Sequence, residues 1–215
     1  MAAGDRSKRI RSNVQRVLQN RGETLEAGLA NAIFESGDRI IRRIAEDALC
    51  LENTFEIDTT DGEELYSLPE DFIAERILIP TGSSVELKKI SMDELRRLKL
   101  SAQSLDQSDT TSGDLFFYYL WNNEIGILLG NGSAPGSSVT VTMYYWRYPT
   151  EELSNTRDPV LRPQWDDVIF KGIVAEMTRD QMWERQFEAG LMTAKLNERS
   201  RQGEVRQVEV NTSYD

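Results

Sequence analysis

The strongest constraint on this 215-residue chain is a change of apolar period that happens twice. After a possible helix cap at Thr24, apolar residues recur at Leu25, Leu29, Ala32, Ile33, Ile40, Ile41, Ile44, Ala48 and Leu51, close to the period of one helix face. Between about Thr54 and Tyr148 the period falls to two, the spacing of a strand. From Pro163 it lengthens again, with Trp165, Ile169, Ile173, Met177, Phe187, Leu191 and Leu196 marking a helix to about Arg199. Long helices that flank a β segment in this way pack on each other and present it as an insertion. The expected class is α+β: a long-helix bundle of N-terminal and C-terminal helices with an inserted antiparallel β subdomain. Its expected parts are a bundle from 1–53 and 160–200, a β subdomain with one short helix at 54–150, and an extended C-terminal tail at 201–215.

Local chemistry fills in the elements. Residues 6–19 place Ile10, Val14, Val17 and Leu18 on one face of a short amphipathic helix that ends at Gly22. Thr54 to Thr59 and Glu64 to Leu68 flank Asp61-Gly62, which predicts a β-hairpin. Pro69 cannot donate to a sheet ladder, so it gives the second strand a fixed end, after which Phe72 turns inward while Glu70 and Asp71 stay in water. Strands follow at Ala74 to Ile79 and Val85 to Ile90, then a helix at Met92 to Leu98 opened by the capping box Ser91-x-x-Glu94. Residues 101–114 carry almost no apolar content and read as a loop. Leu115 to Trp121 and Glu124 to Leu129 form a second hairpin across Asn122-Asn123, and Val139 to Tyr148 a further strand. Val205, Val208 and Val210 alternate with polar residues, the pattern of a free strand edge that either frays or pairs with another subunit.

The chain offers little chemistry. It has no histidine, which removes the commonest general base and metal ligand. No serine sits in G-x-S-x-G or S-x-x-K. The acids of DTTDGEE, residues 58–64, lack the alternate spacing of a calcium loop and read as a solvated turn. GNGSAPG, residues 130–136, has the wrong glycine spacing for a phosphate cradle and reads as a hairpin loop. Glu70 and Asp71 are neighbours on a turn and point apart, so they make a poor catalytic pair. No catalytic residue, cofactor or metal is expected, and the chain is not expected to be an enzyme. The lone Cys50 cannot form an internal disulfide and falls in a helical pattern, as a small buried side chain does. The N-terminus lacks the apolar core of a signal peptide, and no uncharged run suits a bilayer-spanning helix, so no membrane role is expected.

Charge is the remaining signal. The net charge is -11, which opposes non-specific attraction to DNA or anionic lipid. Against that trend the first helix holds Arg6, Lys8, Arg9, Arg11, Arg16 and Arg21 beside Asp5 alone. Arg6, Arg9, Arg11 and Arg16 are therefore candidates for a subunit interface or for nucleic acid, and the bland alternative is a solvated helix face. The aromatics Phe116 to Tyr119, Trp121 and Tyr144 to Trp146 suit core packing, with one face left for a subunit interface.

The order of several short segments resembles the head-to-tail adaptor (connector) proteins of tailed bacteriophages. Tyr66-Ser67-Leu68-Pro69-Glu70-Asp71-Phe72 is similar to the Y-x-L-P-x-D-F segment of that family, and Met92-Asp93-Glu94-Leu95 to its x-D-E-L helix. Tyr118 to Ile127 resembles its aromatic hairpin, and Pro163-Gln164-Trp165-Asp166-Asp167 resembles the P-x-x-W opening of its C-terminal helix, with one residue fewer between Pro163 and Trp165. The resemblance covers residues 24–195 and implies a structural virion protein of the neck, assembled in the host bacterial cytoplasm. It further implies a homo-dodecamer that binds the portal protein, contacts tail or nozzle proteins below, and extends a channel through which genomic DNA passes without sequence-specific binding. Terminal segments of such proteins reach the portal, which here nominates Arg201, Val205, Arg206, Val208, Val210 and Tyr214. Two other roles stay open: a tail-completion or gatekeeper ring one layer further down, and a nucleic-acid-binding accessory protein using the basic first helix.

Overall fold

The computed structural model describes residues 4–22, 28–104 and 115–211. They form two compact units, a helical one from Met1–Leu51 with Arg147–Asp215 and a sheet unit from Glu52–Trp146. The fold is α+β.

The helical unit contains α1 (Asp5–Asn20), α2 (Leu29–Ala48), α4 (Asp166–Thr178) and α5 (Gln181–Asn211). Each contributes one apolar face to a common core: Ile10, Val14 and Leu18 from α1, Ile33, Ile40, Ile41 and Ile44 from α2, Val168, Ile169 and Ile173 from α4, Phe187 and Leu191 from α5. Trp165, in the single 3-10 turn that opens α4, is among the most deeply buried side chains. Burying a side chain of this size stabilises by about 2 to 3 kcal/mol. Gly172 sits where α4 crosses α2 and α5, and a Cβ there would press on Ile40 and Phe187. The Cys50 thiol is half-buried and its pKa is pushed up to about 12, by burial first and then by the nearby Glu198 charge.

The periodicity predicts one helix from Pro163 to Arg199, but the structure breaks it. α4 stops at Arg179, a non-glycine residue in the left-handed region at φ 52. α5 then starts afresh on Asp180, whose Oδ1 accepts a hydrogen bond from the Met182 N–H at 2.8 Å. A carboxylate two residues before the first free amides is a strong N-terminal signal, and it outweighs a continuous apolar stripe. The alternation at Val205, Val208 and Val210 does not give an extended tail over residues 201–211, which continue α5. Propagating an existing helix fixes only one residue per hydrogen bond, whereas a lone strand has no ladder to join. Tyr214 and the rest of residues 212–215 lie outside the described residues, as do the expected cap Thr24 and Leu25.

The sheet unit holds two sheets among the described residues. Sheet A has the order β1-β7-β3, from Glu52–Asp58, Thr140–Arg147 and Phe72–Pro80. Sheet B has the order β2-β6-β5-β4, from Leu65–Ser67, Glu124–Leu129, Leu115–Trp121 and Lys88–Lys89. The expected hairpin across Asn122-Asn123 is present as β5–β6, with both asparagines at positive φ as a two-residue turn demands. The hairpin expected across Asp61-Gly62 is not. β1 pairs with β7 and β2 with β6, so the turn delivers the chain from one sheet to the other. Thr59 enforces this: its buried Oγ1 donates to the carbonyls of Ser137 and Val139 and accepts from the Val139 N–H, which ties the turn to the loop after β6. For the same reason GNGSAPG is a crossover between sheets rather than a hairpin loop. The strand expected at Val85 to Ile90 shrinks to Lys88–Lys89.

The two sheets face each other across a core of Ile57, Leu78, Tyr118, Ile125, Ile127, Val141, Met143 and Tyr145. The helix α3 (Met92–Ser104) covers the other face of sheet B, where Ile90, Leu95, Tyr119 and Leu128 are buried. Its capping box forms as expected: the Ser91 N–H donates to Glu94 Oε2 at 2.7 Å, and the Glu94 N–H to Ser91 Oγ at 3.2 Å. α3 also takes in 101–104, which the sequence assigns to a loop, and 105–114 lie outside the described residues. The sheet unit is thus layered sheet A, sheet B, helix.

Leu68 closes β2 against the inter-sheet core, and the Phe72 N–H donates to the Pro69 carbonyl at 3.1 Å in a tight turn. Phe72 turns inward and stacks on Tyr145, with ring centroids 5.9 Å apart. Asp71 is not simply solvated as expected, because the Tyr145 hydroxyl donates to its Oδ1 at 2.8 Å.

Candidate functional site

The basic face of α1 is drawn into the helical unit. The Arg6 guanidinium donates to the Pro159 carbonyl at 3.1 Å and the Leu161 carbonyl at 2.8 Å, and bonds both oxygens of Asp166. Both partners of the Arg6–Asp166 pair are only 12% exposed. Arg9 reaches the same carboxylate from outside, at 2.8 Å. Asp158 accepts the Arg6 and Ser7 N–H groups, where the free amides of a helix start attract a carboxylate. Arg11 donates to Asn155 Oδ1 and lies over the Phe34 ring. Among the described residues, Arg16 donates to its neighbour Asn13 at 3.5 Å, and it is exposed.

Arg21, further along α1, pairs with Asp180 at 2.8 Å. The Asp180 carboxyl is held below the usual carboxylate range, first by the Met182 N–H and then by Arg21. Sequence reasoning found these arginines but not their acceptors, because Asp158 and Asp166 lie at the far end of the chain.

α5 is the other feature that faces outward. Met182, Met192 and Leu196 are each more than half exposed, although Phe187 and Leu191 on the same helix are buried. A groove of about 530 Å³ runs between α4 and α5, floored by Ala189, Gly190 and Ala194 and edged by Gln164, Asp167, Lys171 and Thr193. Lys171 and Asp167 pair across one helical turn. At the end of the packed part of α5, Glu198 is 5% exposed and lies 3.8 Å from Arg162. Arg201, Val205, Arg206, Val208 and Val210 come later on the same helix.

In the sheet unit, Tyr119 donates its hydroxyl to Glu64, which also binds Lys99 Nζ at 2.8 Å through each oxygen. The Tyr119 pKa is pushed up, by burial first and then by this carboxylate. Gly126 lies opposite Tyr119 in the register, and a Cβ there would fall inside the Tyr119 ring. The cluster braces α3 against sheet B. Among the described residues no group of acids and cysteine is arranged to hold a metal ion, and no helix is long and apolar enough to cross a membrane.

A model of the SU10 adaptor protein family matches residues 8–210. The chain belongs to that family. The match spans nearly the whole chain and both units, including α1, which lies outside the segments that carry the resemblance. No curated protein matches the chain. Membership of the SU10 adaptor family assigns the chain to the phage adaptor proteins and implies a structural role, with contacts to head or tail components of the virion neck.

Proposed function

We propose that this chain is the head-to-tail adaptor of a tailed phage, which binds the portal protein as a ring and extends the DNA channel toward the tail. The family match over residues 8–210 carries the reading. Three features of the molecule support it. The exposed Met182, Met192 and Leu196 give α5 an apolar surface for a neighbour. The 31 residues of α5 make a rod of about 46 Å, long enough to carry contacts from the packed bundle to another protein. The net charge of -11 lets DNA slide past rather than adhere, since little cation release would drive binding.

The portal dock is the last stretch of α5 together with the chain's final residues, with Arg201, Val205, Arg206, Val208, Val210 and Tyr214 as the contacting residues. A closed ring of about twelve copies would carry on the order of -130 charges, and exposed charges are screened only beyond about 8 to 10 Å. The chain is therefore a monomer alone and closes into a ring on the portal template. The test is a pull-down of the full chain and of a chain ending at Ser200, with portal protein and separately with tail-tube protein. The expected result is capture by portal, lost in the truncated chain while its melting curve keeps the same shape. Capture by the tail tube alone would move the protein one layer down, to a tail-completion or gatekeeper ring. Unchanged capture of the truncated chain would move the dock to the bundle.

A further inference from the structure

The bases of the sheet unit are gathered on one layer, where Asp93 and Glu94 in the first turn of α3 stand beside them. Every base between Glu52 and Trp146 except Arg76 falls between Lys88 and Lys99, in β4 and α3. Lys89 and Lys99 are spent on Glu75 and Glu64. Lys88, Arg96 and Arg97 are exposed and form no salt bridge with a described residue. Lys88 pairs with Phe117, whose side chain packs under α3, so it sits on the helix side of sheet B. Lys88 and Arg97 both lie near enough to Glu94 to lower its pKa, which places them in one neighbourhood.

The opposite side of the unit carries the complementary charge. Because Phe55 and Ile57 of β1 and Val141, Met143 and Tyr145 of β7 point into the inter-sheet core, the alternate residues face outward. The register sets them side by side: Glu52 with Trp146, Thr54 with Tyr144, Glu56 with Thr142, Asp58 with Thr140. Glu52, Glu56 and Asp58 are exposed. Tyr144 is 39% exposed in their midst, although a large aromatic on a strand ordinarily packs inward. An exposed phenol ring among carboxylates suits a guanidinium, which stacks on the ring while the acids take its N–H groups. Arg76 already lies in this way over Trp146, 5.7 Å from the ring centroid, with Glu52 as its acceptor at 2.9 Å. Tyr144 lies opposite Thr54 with Glu56 one outward pair along, so a guanidinium over its ring would reach that acid on the diagonal, where no arginine of the same unit is supplied.

We propose that the sheet units of two copies dock head to tail, with Arg96, Arg97 and Lys88 of one copy on the Glu56, Asp58 and Tyr144 face of sheet A in the next. The two patches lie on opposite layers of one unit, so the contact leaves each copy with an unused patch at either end and can repeat around a ring. The occupant is a second copy because this chain carries both halves of the charge pattern. Closing into a ring rests on the adaptor reading, whereas the pairwise contact does not.

The test captures contacts too weak to isolate. Equal amounts of nitrogen-14 and nitrogen-15 protein are mixed at high concentration and treated with a zero-length carboxyl-to-amine cross-linker, and isotope-mixed peptides are read by mass spectrometry. The expected product joins Lys88 of one copy to Glu56 or Asp58 of the other. Its yield should fall at least ten-fold in the variant Arg96→Glu/Arg97→Glu and in the variant Thr54→Arg/Glu56→Arg, both unchanged in circular dichroism. Mixing the two variants should restore isotope-mixed products between these two faces, since each then offers the charge the other lacks. Absence of the Lys88 product in the wild type, or failure of the mixture to recover, overturns the contact. Rings on the portal that are indifferent to Arg96→Glu/Arg97→Glu also overturn it while leaving the adaptor role in place. The cross-link without any ring on the portal retains the contact and sinks the adaptor role.

Discussion

Asp38 shows how one side chain can serve the fold at a cost. Its Oδ1 accepts the Leu153 N–H at 2.7 Å and so ties α2 to the chain entering the C-terminal helices. Burial raises its pKa above the usual aspartate value, although the Leu153 N–H and the nearby Arg39 and Arg42 act the other way. A carboxyl with a raised folded pKa holds its proton more tightly in the folded than in the unfolded chain, so its contribution to stability falls as pH rises through that folded pKa. Asp38→Asn keeps an oxygen acceptor and has no proton to lose. The melting temperature of Asp38→Asn should therefore gain on the wild type as pH rises above the ordinary aspartate pKa of about 4, and a gap that narrows as pH rises would contradict the account. Arg6 illustrates the opposite case, a charge fully used. Replacing it leaves two carbonyls without their donor and Asp166 with Arg9 alone, in a largely dry site. Denaturant titration of Arg6→Ala should give a loss of about 2 to 4 kcal/mol, against less than about 1 kcal/mol for the exposed Arg16→Ala.

Elements are legible in the sequence where their determinants are local. The Asn122-Asn123 turn fixes β5–β6, the Ser91-Glu94 box starts α3, and the apolar stripe of α1 is the face that packs. The hidden features depend on residues far apart. β1 pairs with β7 across most of the sheet unit, so nothing within Thr54 to Leu68 tells that two adjacent strands join different sheets. The acceptors of the α1 arginines obey the same rule. The gathering of bases between Lys88 and Lys99 is visible in the sequence, but the layer on which Arg96 and Arg97 lie is not. The break between α4 and α5 is within reach of the sequence, since Arg179-Asp180 reads as a stop followed by a cap, yet by propensity alone Gly172 and Gly190 are the weaker points. Because Arg179 has φ 52, a region that penalises a Cβ, Arg179→Gly should raise stability by about 0.5 to 1 kcal/mol. An unchanged or lower unfolding free energy in denaturant titration would argue for one continuous helix.

At the scale of the molecule, the helical unit supplies α5, on which Met182, Met192 and Leu196 are exposed, and the sheet unit gathers its bases about α3 and sets Glu52, Glu56 and Asp58 on the outer face of sheet A. The net charge of -11 opposes crowding of copies in free solution, so assembly is expected to need a template. The most direct measurement is the mass of the protein by light scattering after size exclusion at physiological salt, alone and after mixing with portal protein, with electron microscopy of the mixed peak. The account predicts a monomer alone and a closed ring seated on the portal in the mixture. A stable free ring would contradict templated closure, and a mixture that elutes as separate monomer and portal would contradict the adaptor role itself.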